Sequence, residues 1–160
     1  MPARLLLRPV HADDLARVAA FAQTPEELYY LAPRARFPLD AAQLADSIAQ
    51  RSDSNVICRG DEVLGFANIY KREGTACYVG NVVVAPQARR QGVARFLMEG
   101  MAQLAAARHA AREVRVSCFN GNTAGLLLYA RLGYTPFALE ERSDWQGRPI
   151  VLLHLRRPCA

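Results

Sequence analysis

Of the 20 lysine and arginine side chains in this 160-residue sequence, only Lys71 is a lysine. No lysine follows a glycine ahead of Ser or Thr, which excludes a phosphate-binding loop of the Gly-Lys-Ser/Thr type. The spaced glycines of a dinucleotide fingerprint are missing too. The 4 cysteines, Cys58, Cys77, Cys118 and Cys159, form no Cys-x-x-Cys pair and no Cys/His pair at zinc spacing, so no metal is expected. Three of them sit in apolar strand-like runs, as buried thiols do, and no disulfide framework is implied. No apolar run approaches a membrane span. At the N-terminus, Met1 to Arg8 lacks a leader's apolar stretch because Arg8 and Pro9 interrupt it. The sequence reads as cytoplasmic, with no membrane partner. Repeats, linkers and low-complexity segments are also lacking, so residues 1–160 read as a single domain.

What is present suits a packed globule: 51% apolar and 22% charged residues. The net charge of +5, carried almost wholly by arginine, suits a polyanionic ligand such as a nucleotide cofactor. No helix-turn-helix and no aromatic-plus-basic recognition motif accompanies the charge, so no nucleic-acid partner is expected. A nucleic-acid module would rest on charge alone.

Along the chain, 5–10 reads as a strand. Asp13 or Asp14 is placed to cap a helix with Leu15, Val18, Ala19 and Ala22 inward. A polar and aromatic segment, 23–33, follows. Asp40 opens a helix to about Gln50, using Leu44 and Ile48. A hairpin is expected from 55–59 and 63–70, then a central strand 75–84 and a long helix 92–108. That helix carries Val93, Phe96, Leu97, Met101, Leu104 and Ala105 on one side. A strand at 113–119, a helix from Asn122-Thr123 to Gly133, and strands near 134–141 and 148–155 complete the order β-α-α-β-β-β-α-β-α-β-β. This is an α/β fold with one mixed, mostly antiparallel sheet flanked by about four helices on both faces.

The most informative segment is Val82-Val83-Val84-Ala85-Pro86-Gln87-Ala88-Arg89-Arg90-Gln91-Gly92-Val93-Ala94. A β-branched run ends at Pro86, which cannot donate to a ladder. A basic turn with one glycine then opens a helix, whose first N–H groups lack intrahelical partners and favour an anion. Gly92 lets a phosphate approach the backbone, and Arg89 and Arg90 add charge-assisted donors. A second segment, Asn122-Thr123-Ala124-Gly125-Leu126-Leu127-Leu128-Tyr129-Ala130-Arg131-Leu132-Gly133-Tyr134, follows one helix and one strand later. Read blandly, Asn122 is an N-cap, Leu127 is core and Tyr129 is a half-buried packing residue.

Together, in this order, the two segments resemble the GCN5-related N-acetyltransferase (GNAT) superfamily. The resemblance implies transfer of an acetyl group from acetyl-CoA, with no metal, to a primary amine by direct attack in a ternary complex. It implies a V-shaped slot beside the central strand, in which pantetheine pairs with backbone near Val82 and Val84 and a backbone N–H near Val83 polarises the thioester. A bulge at Gly80-Asn81 would re-aim the strand. The pyrophosphate would sit on N–H groups from Arg90 through Gln91, Gly92 and Val93 to Ala94, with Asn122 and Leu127 also toward the cofactor. Tyr129 would donate to the departing thiolate.

The general base is not legible. Many relatives place a Glu early on the central strand, where this chain has Tyr78, and some place one on the next strand, where Ser117 stands. That leaves a water relayed by Asn81, Tyr78 or Ser117, or a carboxylate from Glu26 or Glu27. Those two glutamates equally suit first-turn positions after Pro25. The acceptor walls implied are Glu26, Tyr29, Tyr30, Phe37, Glu141 and Trp145, a set that suits a cationic amine with an apolar body. Small-molecule and peptide amines both remain open, as does a homodimer. The alternative is an acyl-CoA-binding regulatory or structural protein without catalysis.

Overall fold

The computed structural model describes residues 3–160; Met1 and Pro2, which begin the stretch read above for a leader, lie outside the described residues. The elements are β1 (Leu5–Pro9), α1 (Leu15–Ala19), α2 (Pro25–Leu31), α3 (Ala41–Ala49), β2 (Ser52–Arg59), β3 (Glu62–Glu73), β4 (Ala76–Val84), α4 (Val93–His109), β5 (Glu113–Phe119), α5 (Thr123–Arg131), β6 (Thr135–Ser143) and β7 (Pro149–Pro158). Seven strands form one sheet in the order β1-β2-β3-β4-β5-β7-β6. Every neighbouring pair is antiparallel except β4–β5. No described helix is long and apolar enough to cross a membrane.

The architecture is the expected one with a fifth helix. α2 lies in the segment read as merely polar and aromatic. Thr24 caps it by accepting from the Glu27 N–H at 3.1 Å, Pro25 fills the first turn, and Glu26 and Glu27 face the positive end of the dipole. Asp40 caps α3 as expected, accepting from the Gln43 N–H at 2.9 Å. The cap expected before α1 differs. His11 opens a 3-10 turn over Ala12–Asp14, and the buried Asp14 carboxylate instead takes the His11 N–H at 2.7 Å and both ends of the Arg8 guanidinium at 2.8 and 2.9 Å. Sequence spacing could not reveal this, because Arg8 comes from β1.

Alternation along β3 divides the two helical layers. Gly65 faces Leu97 of α4, while Phe66 lines a cavity of about 30 Å³ with Val18 of α1 and Leu44 of α3. Successive strand residues point to opposite faces, so α4 covers one face and α1 and α3 the other. α4 buries Val93, Leu97, Met98, Met101, Ala102 and Ala105. Phe96, expected on that side, is instead 42% exposed. Cys58, Cys77 and Cys118 are buried free thiols, as their apolar runs suggested.

Two departures from a regular sheet shape the centre. Phe66 pairs with Val83 but Asn68 pairs with Gly80, so both Asn81 and Val82 stand opposite Ala67. This is the bulge expected beside Gly80, and Asn81 takes the left-handed conformation at φ 50°. Second, β4 pairs with β5 only through Ala76, Cys77 and Tyr78, opposite Glu113, Val114 and Arg115. Beyond that point β5 pairs only with β7, through Phe119 opposite Leu152, and β4 only with β3. The two central strands therefore part after Tyr78 and Arg115.

Candidate active site

The slot between the parted strands is bounded by Val79–Val84 on one side and Val116–Phe119 on the other. Main-chain groups of β4 that would have served β5 have no strand partner there, which makes the edge a template for an extended ligand. Val82, Val83 and Val84 are all half-buried on this edge.

Past Val84 the chain makes a 3-10 turn at Pro86–Ala88 and enters α4 through Arg89-Arg90-Gln91-Gly92. Arg90 and Gly92 both adopt positive φ, 62° and 81°. Gly92 is the N-cap, and a Cβ built on it meets nothing within 4 Å, so the space before the helix is open. The first N–H groups of this 17-residue helix, from Val93 and Ala94 onward, face that space. The two arginines differ. Arg89 is turned back onto the protein, with Nη1 on Glu27 at 3.1 Å, Nη2 on the Phe21 carbonyl at 3.3 Å and Nε on the Val84 carbonyl at 3.4 Å. Among the described residues nothing engages the Arg90 guanidinium, and Gln91 Nε2 donates to the Gln87 carbonyl at 3.0 Å.

Asn122 caps α5, its Oδ1 accepting from the Gly125 N–H at 3.1 Å. Leu127 is 49% exposed rather than core, so α5 presents an apolar side chain outward. Tyr129 is buried and meets Tyr134 edge to face at 5.6 Å. Burial first, then the neighbouring Cys118, Tyr134 and Tyr70, hold its phenol far above the ordinary range, so it stays protonated.

Residues considered for proton removal have mostly been claimed by the fold. The Asn81 amide accepts from Asn68 at 2.9 Å and Ser47 at 3.2 Å and donates to the Leu31 carbonyl at 2.9 Å. It locks the bulge to α2 and α3. The Tyr78 hydroxyl accepts from Arg115 at 3.0 Å. Glu27 takes the Gln23 N–H at 2.7 Å and Arg89; burial raises its carboxyl, but those two bonds outweigh it and hold the group below its usual range. Glu26 accepts from Tyr30 at 3.0 Å. Ser117 differs: its Oγ lies 3.0 Å from Tyr70 Oη and 2.8 Å from His154 Nδ1, and His154 Nε2 lies 3.1 Å from Glu140 Oε1.

The expected acceptor walls largely converge. Tyr29 stacks on Phe119 at 4.8 Å and on Trp145 at 5.9 Å, and Tyr30 lies 6.2 Å from Phe119 and 6.5 Å from Trp145. The Tyr29 hydroxyl donates to the Ser143 carbonyl, pinning α2 to the β6–β7 turn. Burial and the Glu26 carboxylate push the Tyr30 phenol up to about 12. Phe37 stays 44% exposed and joins none of these ring pairs, and Glu141 is exposed while its neighbour Glu140 reaches His154. Sequence reading missed Phe119, Tyr70, His154 and Glu140, because only strand register brings them to the slot.

A family model described as the acetyltransferase (GNAT) family matches residues 17–134. Among solved structures, the ribosomal-protein-S18-alanine N-acetyltransferase from Escherichia coli superposes with a TM-score of 0.74 at 18% identity, covering 98% of this chain and 95% of that one. A ribosomal-protein-alanine N-acetyltransferase from Brucella melitensis gives 0.77 at 19%, over 96% and 99%. A spermidine N-acetyltransferase from Vibrio cholerae, in complex with CoA and spermine, gives 0.78 at 13%, over 96% and 95%.

Proposed function

Because the chain belongs to the acetyltransferase (GNAT) family, we propose that it moves an acetyl group from acetyl-CoA to a primary amine by direct attack in a ternary complex. The observation that carries this reading is the parting of β4 from β5 after Tyr78, with the open Gly92 turn at the end of the freed edge. An extended pantetheine arm fits the first and a pyrophosphate the second. Acetyl-CoA supplies an activated thioester when bound.

The chain's own groups then have separate tasks. Val82, Val83 and Val84 offer backbone partners along the slot, and an N–H near Val83 is the candidate donor to the thioester oxygen. The N–H groups from Arg90 to Ala94 and the free Arg90 guanidinium would take the diphosphate. Arg89 supports that loop from behind through Glu27, Phe21 and Val84. Exposed Leu127 on α5 offers apolar contact to the cofactor, and the Asn122 cap holds the start of that helix. Tyr129, protonated by virtue of burial, would donate to the sulfur as it departs. Asn81 positions the bulge; its amide has its partners already. Tyr29, Tyr30, Trp145 and Glu26 form the acceptor wall, an aromatic surface with one carboxylate that suits a cationic amine.

The relatives above carry names that specify a ribosomal-protein alanine or spermidine as acceptor, so peptide and polyamine amines head the panel to test. Isothermal titration with acetyl-CoA, followed by an amine panel read by product mass spectrometry, tests the reading. Binding with acetylation of at least one amine is expected. Binding without transfer to any amine would favour a non-catalytic acyl-CoA-binding protein instead.

A further inference from the structure

Proton removal from the acceptor finds no carboxylate on β4, and the one on β5, Glu113, lies below the parting of the strands and is bound by Arg115. The residues nearest the slot have been claimed one by one. Tyr78 is held by Arg115, the Asn81 amide by three partners, Glu27 by Arg89 and the Gln23 N–H, and Glu26 by Tyr30. One polar side chain at the slot is backed by a group able to accept a proton. Resting on the transfer reading above, we propose that Ser117, His154 and Glu140, entered through Tyr70, form the relay that carries the acceptor's proton from the slot to solvent.

The geometry begins at the parting of the strands. Tyr78 and Arg115 are the last β4–β5 pair, so Gly80 and Ser117 are the next positions on the same face. The Tyr70 ring crosses β4 over Gly80, which has no side chain to obstruct it, and its hydroxyl reaches Ser117 on β5. This hydrogen bond spans the apex of the slot, beside the bulge at Asn81 and Val82. Ser117 lies directly opposite His154 in the β5–β7 register, so both point to one face. Glu140 reaches the same imidazole from β6 and is 44% exposed at its side chain, so the chain of bonds ends in water.

Directions follow from the partners. With its proton on Nε2, His154 donates to the Glu140 carboxylate and leaves Nδ1 to accept from Ser117. Ser117 then accepts from Tyr70, and the Tyr70 oxygen keeps a lone pair for the acceptor. As the ammonium gives up its proton to Tyr70 Oη, the phenolic proton passes to Ser117 and the serine proton to His154 Nδ1. The products are a free amine, a neutral tyrosine and serine, and an imidazolium paired with Glu140, which returns its proton to water. Burial keeps the Tyr70 phenol above its ordinary range, so it starts the cycle protonated. The groups facing His154 are Ser117 from β5, Glu140 from β6 with Arg142 bound to it, and the Phe137 ring at 6.2 Å. Arg115 and Arg156 lie over that ring at 4.9 and 5.1 Å. Tyr70 alone would be catalytic by contact; Ser117, His154 and Glu140 would act behind it.

The test is the single-turnover rate constant against pH for wild type and for Ser117→Ala, His154→Gln and Glu140→Gln, with acetyl-CoA affinity and near-UV circular dichroism as checks on the fold. Ser117→Ala and His154→Gln should lose about 10²-fold or more near pH 7, with the deficit shrinking as alkaline pH deprotonates the amine unaided. Glu140→Gln should lower the rate near pH 7 as well, because the proton loses its last acceptor before water. Imidazole added to His154→Gly should restore part of the rate. Wild-type rates and profiles in all three variants, from an enzyme that acetylates amines, overturn the relay alone. A wild type that binds acetyl-CoA and acetylates no amine overturns the transfer reading and the relay with it.

Discussion

The ring of Tyr70 lies across the backbone of Gly80: a Cβ built on Gly80 would stand 2.5 Å from Tyr70 Cδ1 and 2.9 Å from Cε1. Tyr70 therefore bridges from β3 to Ser117 on β5 only because β4 carries no side chain at that point. Arg51 packs at the same spot, its Nη1 3.1 Å from that Cβ while donating to Asn68 Oδ1 at 3.0 Å, and its guanidinium 5.1 Å from the ring centroid. Gly80→Ala should displace the ring and lower stability by about 1–3 kcal/mol, the usual cost of overpacking a filled site. Urea unfolding measures this. In the double variant with Tyr70→Ala the added methyl should cost far less, since its nearest obstacle is gone and only the flexible Arg51 side chain must give way. Equal costs of Gly80→Ala in both backgrounds would mean that the ring is not what the methyl meets.

The two loop arginines should separate on substitution. Arg89 ties the loop to α2 and to the end of β4, so Arg89→Ala should lower the melting temperature and weaken CoA and pantetheine alike through a loosened loop. Arg90 has no protein partner among the described residues, so Arg90→Ala should leave melting unchanged and weaken CoA much more than pantetheine, which lacks the diphosphate. Calorimetric titration with both ligands, beside thermal unfolding, reads the two effects. Parallel behaviour of the two variants would remove the distinction.

How much of this could be read from the sequence depended on whether the signal was local. The Val82–Ala94 segment and the Asn122–Tyr134 segment are contiguous, and their strand, glycine turn and helix start lie where spacing put them. The bulge at Asn81 was legible through the resemblance, at the Gly80-Asn81 pair that precedes the valine run. α2 was obscured because its Tyr29 and Tyr30 read as acceptor walls, although Thr24-Pro25 followed by Glu26 and Glu27 is a helix start in plain view. Of the relay, only Ser117 could be read, as one of three candidates. Ser117 and His154 are 37 positions apart and meet only through the β5–β7 register. Glu140 rather than Glu141 reaches the imidazole because β6 carries a register shift between Pro136 and Ala138. Phe96 reads as inward from periodicity, which marks an apolar face but cannot say whether a neighbour or a ligand covers it.

Tyr129 and Tyr134 touch one another and should respond in opposite ways to loss of the hydroxyl. Tyr129→Phe keeps the ring packing, so kcat should fall while CoA affinity holds, the mark of an interaction made in the transition state. The Tyr134 hydroxyl is buried without a partner among the described residues, so Tyr134→Phe should be neutral or stabilising near pH 7. Burial pushes the Tyr134 phenol up to about 12 and Tyr129 further in the same direction. In the unfolded chain both ionise near 10. The unfolded state thus sheds protons first, so stability is fully present below about pH 10 and falls as pH rises through the folded values. Tyr134→Phe should make that alkaline fall shallower. An unchanged alkaline slope in unfolding curves from pH 9 to 12 would count against burial as the cause.

Trp145 should govern acceptor affinity rather than chemistry. It sits in the β6–β7 turn, 38% exposed, and meets Tyr29 and Tyr30 of α2, which also contact Phe119 at the open end of the slot. Arg148 already lies 5.6 Å from the indole centroid on one side, so the ring is in use as a cation platform within the protein itself. A cationic amine approaching between α2 and the turn would meet aromatic faces and the Glu26 carboxylate together. Trp145→Ala should therefore raise KM for the amine by about 3- to 30-fold, in line with about 0.5–2 kcal/mol for a cation over an aromatic face, while kcat and CoA affinity change little. Trp145→Phe should recover most of the loss, because the face is kept and only its size is reduced. Steady-state kinetics with the best amine of the panel decides it. An unchanged KM in Trp145→Ala would place the acceptor elsewhere and leave the four rings as packing between α2, β5 and the turn.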